Sequence, residues 1–509
     1  MALLAALEAP MRSIWRRPRG KPPEESSREK AAGRKPPGES DRGILIASRG
    51  GPSQMETITQ IDRGRLKELL ESETRRFADE HKKSYDLYQR ARKHFISGVP
   101  MNWMVKWAGT FPVFVKEASG AHFTDVDGHK YLDLCLGDTG AMTGHSPAEA
   151  VAAIAEQAKR GLTYMLPTED HIAVSEELAR RFKLPYWQMA LTATDANRFS
   201  VRLARQLTGR SKILVYNYCY HGTVDETFCT LENGVVKPRH GSLGPPVDPA
   251  LTTKVVEFND IDALEKALAT KDIACVLAEP VMTNIGIILP DPGYHKALRE
   301  LTEKYGTLLI IDETHTICTG PGGYTAAHGL EPDILTIGKP IASGVPAAVY
   351  GFSEKIADMV AAITSTEDCD TVGIGGTLAG NALSVAAIKA TLEKVLTEDA
   401  YAHAIPLAEK FARGVEHVIE KHRLPWIVKQ LGCRAEYWFR QEPPRNGGEA
   451  AAAVDAELDR YMHLAALNRG ILLTPFHNMA LFSRAHSEAD VDEHTQVFHE
   501  SVRALCGDA

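Results

Sequence analysis

The chain has 509 residues, 44% of them hydrophobic and 24% charged, with a formal net charge of −8. This composition is that of a soluble globular protein, long enough for two or three domains, and it argues against a basic nucleic-acid-binding surface. No apolar run reaches the roughly 18 residues that a membrane-spanning helix needs, and eight cysteines scattered without a CxxC pair read as reduced thiols of a cytoplasmic protein, not as disulfides or a metal site.

Residues 1–54 carry 11 Lys+Arg against 6 Asp+Glu and are rich in Pro, Gly and Ser without hydrophobic periodicity. They read as a disordered leader. A transit peptide, which the glutamates and prolines fit poorly, and a start near Met55 are the other readings. From Ile58 to Ser97 the pattern is helical and charged. From Phe111 it becomes strand-like (FPVFVKEASGAHFTDVDGHKYLDL), with Asp127-Gly128 marking a hairpin turn.

Beyond that point short apolar runs alternate with helical stretches. The runs are KILVYN (212–217), IACVLAEPV (273–281), TLLIIDE (307–313) and ILTIGK (334–339). The helical stretches include IDALEKALATK (261–271) and YHKALRELTEKYG (294–306), the latter closed by Gly306 at a C-cap position. Continuous apolar strands between helices predict a mostly parallel sheet buried on both faces. Three segments are expected after the leader: 55–140 and 391–509 form a smaller α+β part, and 141–390 the large domain.

Ligands of such sheets bind at the carboxyl ends of the strands, so the residues there carry the information. They are Tyr220-His221-Gly222, Glu279-Pro280, Asp312-Glu313 and Gly338-Lys339. Each alone reads as a turn, a cap or a solvated charge; their order along one α/β region lifts them above that.

With SGVP (97–100), FTDVDGHKYLDL (123–134), GHSPAEAVAAI (144–154), RLARQLTGRSKI (202–213), AEPV (278–281), PDILTIGK (332–339) and GTLAGN (376–381), the chain over roughly 85–505 resembles the class III aminotransferases. These are fold-type I enzymes of pyridoxal 5′-phosphate (PLP) and include glutamate-1-semialdehyde aminomutase. The resemblance implies a seven-stranded, mostly parallel sheet and a PLP Schiff base on Lys339. It implies that Asp312 keeps the pyridine nitrogen protonated, that Tyr220 stacks on the ring, and that His221 and Glu279 lie beside the cofactor.

The phosphate is expected at the start of the helix that opens with TATDA (192–196), where Thr192, Ala193 and Thr194 stand in place of the family's Ser-Gly-Thr. Thr377 of GTLAGN matches a threonine that reaches the phosphate of the neighbouring subunit, so the resemblance implies a homodimer. The segment DETHT (312–316) departs from the family's Asp-Glu-Val, with Thr314 against the ring and His315 either lining the site or structural.

Carboxylate substrates are commonly anchored by a bidentate arginine. Met104 stands nearest the position where the aminomutase pattern has one. Arg434 in LGCRAEYWF either pairs with Glu436 on the same strand face or binds substrate. Trp103 either walls the substrate pocket or packs in the small domain; Trp107 is assigned to packing. These features predict a ping-pong aminotransferase that takes an amine or a non-α amino compound as donor and a keto acid as acceptor. A PLP isomerase of the aminomutase or racemase type is the alternative. No metal site is read from the sequence.

Overall fold

The computed structural model describes residues 59–507 except 246, 364–371 and 476. The expected leader, 1–54, lies outside them. Seven strands form the central sheet, in the order Tyr186–Ala190, Ala348–Phe352, Ile334–Ile337, Leu308–Asp312, Ile273–Ala278, Lys212–Tyr216 and Thr253–Val256. Neighbours from Ile334–Ile337 to Thr253–Val256 pair in parallel, and Ala348–Phe352 runs antiparallel to both its partners. Every residue of Ile273–Ala278 and Ile334–Ile337 is buried, which is why those runs lack apolar/polar alternation.

The expected elements form with slightly shorter bounds. Helix Tyr294–Tyr305 ends at Gly306 in the left-handed conformation that spares glycine a Cβ clash. Helix Ala193–Thr208 buries Ala196, Ser200, Val201, Leu203 and Ala204, and packs against the strands Ala348–Phe352, Ile334–Ile337 and Ile273–Ala278. That packing aims its N-terminus at the carboxyl ends of the strands.

The flanking segments build two smaller sheets. One is the predicted hairpin, His122–Asp125 with Lys130–Asp133, extended by Val115–Ser119 and by Ile471–Leu472 from the far end of the chain. Asp125 Oδ1 accepts from the amides of Gly128 (2.7 Å) and His129 (2.8 Å), and this closes the turn. The other joins Ile427–Leu431, Arg434–Trp438 and Met479–Leu481. Among the described residues no helix is long and apolar enough to cross a membrane.

Candidate active site

Asp312 is the last residue of its strand and pairs in register with Thr336 of the adjacent parallel strand. The next turn of that second strand delivers Lys339. Both side chains therefore leave the sheet at its carboxyl edge. Thr314 ties the two exits together, its Oγ1 accepting the Gly338 amide at 3.3 Å. This gives a local reason for a hydroxyl at a position expected to hold valine.

Asp312 is buried and fully engaged. Its Oδ2 accepts from His221 Nδ1 (2.9 Å) and Asn197 Nδ2 (2.8 Å), and its Oδ1 from the Thr314 amide (3.0 Å). Burial alone would push the Asp312 pKa up, but the hydrogen bond from His221 and its charge bring it down to about 2. Burial works against a charge on His221, yet Cys219 and the Asp312 carboxylate hold that ring above the ordinary histidine range. His221 Nε2 is buried without a partner. Glu279, also buried, is raised to about 7 by desolvation, with His221 opposing the rise.

Thr192 caps the helix Ala193–Thr208, its Oγ1 accepting the Asp195 amide at 3.2 Å. Ala193 is the first helical residue, so alanine in place of the family's glycine meets no backbone conflict there. The freedom is needed opposite: a Cβ on Gly338 would stand 2.9 Å from Ala193 Cβ, and one on Gly222 (φ +79°) 2.2 Å from Thr194 Oγ1. Thr194 Oγ1 accepts the Thr223 amide at 3.0 Å. The helix start with its outward amides is thus locked between the loops that carry His221 and Lys339.

Lys339 has φ +49°, a conformation that costs an L-residue energy and marks functional sites. Its Nζ lies 3.0 Å from Asp138 Oδ2 and 2.6 Å from His315 Nε2. Asp138 and His315 open onto a cavity of about 620 Å³, walled by Trp103, Tyr220 and Phe228 and also lined by Lys106, Arg239 and His477. The Trp103 and Tyr220 ring centroids are 5.2 Å apart, so Trp103 is a wall of the cavity. Trp107 is not among its lining residues.

Two expected residues sit elsewhere. Thr377 is exposed on a different cleft, beside Tyr164, Met165 and Leu166. Arg434 is fully buried and does not line the cavity. The anticipated Arg434–Glu436 pair does not form. Glu436 accepts from the Ile287 amide (2.9 Å) and contacts His477 (2.9 Å), while Arg434 Nη2 reaches Thr139 Oγ1 (2.6 Å) and His315 Nδ1 (3.0 Å).

Sequence reasoning missed Asp138, Asn197 and Arg239. Asp138 and Thr139 in LGDTGA carried a signal, two polar residues in a small-residue turn just after an apolar strand. Asn197 inside a helix carried none.

The set accepts a phosphorylated aromatic aldehyde: an amine in a cleft, a buried carboxylate held ionised, an unpartnered imidazole nitrogen, a helix start cleared by two glycines and an aromatic side chain beside them. The comparisons point the same way. The family profile "Aminotransferase class-III" matches residues 103–501. A glutamate-1-semialdehyde 2,1-aminomutase of Neisseria meningitidis is 34% identical over 404 residues, 78% of this chain and 93% of the relative. A solved glutamate-1-semialdehyde aminomutase of Pseudomonas aeruginosa is 49% identical, covers 87% of this chain and 99% of its own, and superposes with a TM-score of 0.86; a variant of it was solved in complex with PMP. An omega-transaminase of Sphaerobacter thermophilus is 25% identical, with 83% and 97% covered and a TM-score of 0.76.

The raised pKa of Glu279 makes a pH prediction. Its protonated form is favoured by folding, so its contribution is complete below the ordinary glutamate value of 4.5 and is lost as pH rises through about 7. In Glu279→Gln the fall in melting temperature across that window should shrink by several degrees, as measured by calorimetry at a series of pH values. An unchanged slope would contradict the assignment.

Proposed function

We propose that this chain, which belongs to the class-III aminotransferase family of PLP enzymes, is an isomerase of the glutamate-1-semialdehyde aminomutase type. It moves an amino group between neighbouring carbons of one small carboxylate-bearing substrate. The observation that carries this reading is the charge of the cavity in front of Lys339. Asp138 is engaged by Lys339 itself, while Arg239, whose Nη2 donates to the Cys219 carbonyl and whose Nε is buried without a partner, brings a cation to the lining, which suits a substrate carboxylate even with Met104 where the aminomutase pattern has arginine. The relatives named for that activity, matched over nearly their whole length, support it.

When bound, PLP supplies a carbonyl that an amine captures and a ring that draws electrons from the carbon being deprotonated. Lys339 holds the cofactor and carries the proton at Nζ between substrate carbons. Asp312, kept ionised by His221 and Asn197, holds the proton of the ring nitrogen. Tyr220 would supply an aromatic surface for the ring, and the buried Glu279 lies within electrostatic reach of His221 and Asp312. Thr192, Ala193 and Thr194 present the helix start to the phosphate. Trp103, its ring centroid 5.2 Å from that of Tyr220, would form one wall against the substrate.

A second reading, the ping-pong aminotransferase, is favoured by Met104 and by the aromatic wall of Trp103, Tyr220 and Phe228. Incubation with glutamate-1-semialdehyde and no keto acid separates the two. The isomerase reading predicts conversion to the isomeric amino ketone under those conditions. Activity that appears only with an amine donor and pyruvate or 2-oxoglutarate would contradict it.

The working unit is proposed to be a homodimer in which Thr377 serves the partner's phosphate site. Met165 (74% exposed), Leu166 (72%) and Ile172 (61%) line the same cleft as Thr377 and leave apolar side chains exposed beside it, as a surface kept for a partner would. Cys135, Cys219, Cys229, Cys275, Cys318 and Cys433 are free thiols among the described residues, in keeping with a reducing, cytoplasmic setting. Sedimentation velocity should show a dimer. Met165→Asp with Leu166→Asp should yield monomers whose PLP affinity has fallen by about tenfold or more, as a lost partner residue at the phosphate predicts. A wild-type monomer with full cofactor binding would overturn the shared site.

A further inference from the structure

Away from the cavity, His81, Asp125 and His129 converge where the N-terminal helices meet the small hairpin. His81 stands between helix Arg63–Glu80 and helix Lys82–Ala91. Asp125 ends the first hairpin strand, and His129 immediately precedes the second. His81 and Asp125 are buried, and the His129 side chain is 40% exposed. The ligand atoms that the three offer lie within 4.8 Å of one another. Asp125 Oδ2 is 3.6 Å from His81 Nε2 and 3.0 Å from His129 Nδ1. A tetrahedral zinc ion with bonds of about 2.0–2.1 Å sets its ligand atoms roughly 3.3 Å apart. Both measured edges are close to that spacing, and the half-exposed His129 ring is free to turn and close the third.

The groups behind these atoms are arranged as an outer shell. His81 Nδ1 is 2.8 Å from the Phe77 carbonyl. A carbonyl only accepts, so Nδ1 carries the hydrogen. Burial, the largest influence, outweighs the pull of that carbonyl and holds His81 below the ordinary histidine range. The ring is therefore neutral, and Nε2 is bare. A metal-bound histidine commonly rests its other N–H on a backbone carbonyl or a carboxylate, and a metal-bound carboxylate is itself hydrogen-bonded. Asp125 meets the second condition, since its Oδ1 accepts the two turn amides and leaves Oδ2 to face the imidazoles. The Tyr131 hydroxyl lies 2.6 Å from His81 Nε2 and 3.1 Å from Asp125 Oδ2, one hydrogen for two acceptors. Burial and the charge of Asp125 raise Tyr131 above the usual phenol range, so it keeps that hydrogen.

We propose that His81 Nε2, Asp125 Oδ2 and His129 Nδ1 bind one zinc-type divalent cation, with water as the fourth ligand on the exposed side of His129. Two imidazoles and one carboxylate suit such an ion, whereas Mg2+ and Ca2+ take oxygen ligands. His129 then carries its hydrogen on Nε2, and Tyr131 donates to Asp125. The ion fastens the junction of the two helices to the hairpin. Asp127 already ties the same elements, accepting the amides of Lys83 (2.7 Å) and Ser84 (2.9 Å). The chain therefore folds without the ion, and the ion adds to a site already formed. The proposal is independent of the role of Lys339. The sequence gave no sign of the site because His81 reaches it from a separate helix end.

The test uses the full PLP-loaded chain, stripped with a chelator, dialysed against micromolar zinc and measured by elemental mass spectrometry. Wild type should retain one zinc per chain and melt several degrees above the stripped protein. Cobalt(II) in place of zinc should give the visible bands of a tetrahedral nitrogen–oxygen site. His129→Ala should weaken zinc retention by about a hundredfold or more, beyond what the loss of an outer partner causes, and should abolish the cobalt bands and the melting shift. His129→Gln, whose amide N–H replaces a hydrogen bond to Asp125, should keep the stability of the stripped wild type and lose the zinc as well. Zinc retained equally by wild type and both variants would place the ion elsewhere and overturn the proposal. A wild-type chain that keeps no zinc would overturn it too, leaving the cluster a hydrogen-bonded part of the core.

Discussion

The site depends on the parallel register between two buried strands, Leu308–Asp312 and Ile334–Ile337. Asp312 sits opposite Thr336, and Asp312 and Lys339 both take their positions from that alignment. A slip of one residue would turn each side chain to the other face of the sheet. The strands resist such a slip because both faces are covered: all of Ile334–Ile337 and four of the five residues of Leu308–Asp312 are buried. Two polar links cross the alignment where apolar packing ends. Thr336 Oγ1 donates to Asn197 Oδ1 at 2.7 Å, and Asn197 then donates to Asp312. The helix that starts at Ala193 is thereby keyed to the same register.

Burying this much charge is costly unless each ion is answered. Two groupings answer it. Asp312 is set against His221, with Glu279 adjacent. Asp138 is set against Lys339, with Arg434 behind it at 3.9 Å. In the second, Asp138 is held well below the usual carboxylate range: desolvation opposes the charge, and Lys339, His315 and Arg434 outweigh it. In the turn at 136–139, Leu136, Asp138 and Thr139 have φ of +46°, +50° and +82°, which costs about 1–3 kcal/mol at each, and the ion contacts the turn makes possible offset that cost. A sheet that supplies rigid strand ends lets such a turn exist without unfolding its neighbours.

Much of this was legible in the sequence. Continuous apolar runs gave the parallel sheet, Gly306 the helix end, and Asp127-Gly128 the hairpin, because each reflects a local backbone requirement. Motif order singled out Lys339, Asp312 and Tyr220; the structure places Asp312 at a strand end beside His221 and Tyr220 in the cavity wall, while their roles toward a cofactor are part of the proposal. What escaped was set by tertiary approach. Arg434 and Glu436 share a strand in a spacing that suggests a pair, yet each finds a partner that arrives from a distant segment: Thr139 and His315 for one, Ile287 and His477 for the other. The aminotransferase expectation rested on missing arginines at motif positions. Arg239, from a loop that no motif marks, brings a cation to the cavity by another route, and the relatives matched over most of their length carry the aminomutase name.

The central claim is that Lys339 is the residue that binds the cofactor carbonyl. Borohydride reduction of the PLP-loaded protein, followed by digestion and peptide mass spectrometry, addresses it directly. The account predicts one reduced phosphopyridoxyl group, on the peptide that contains Lys339. Its location on any other lysine, or its absence from a protein saturated with PLP, would contradict the account.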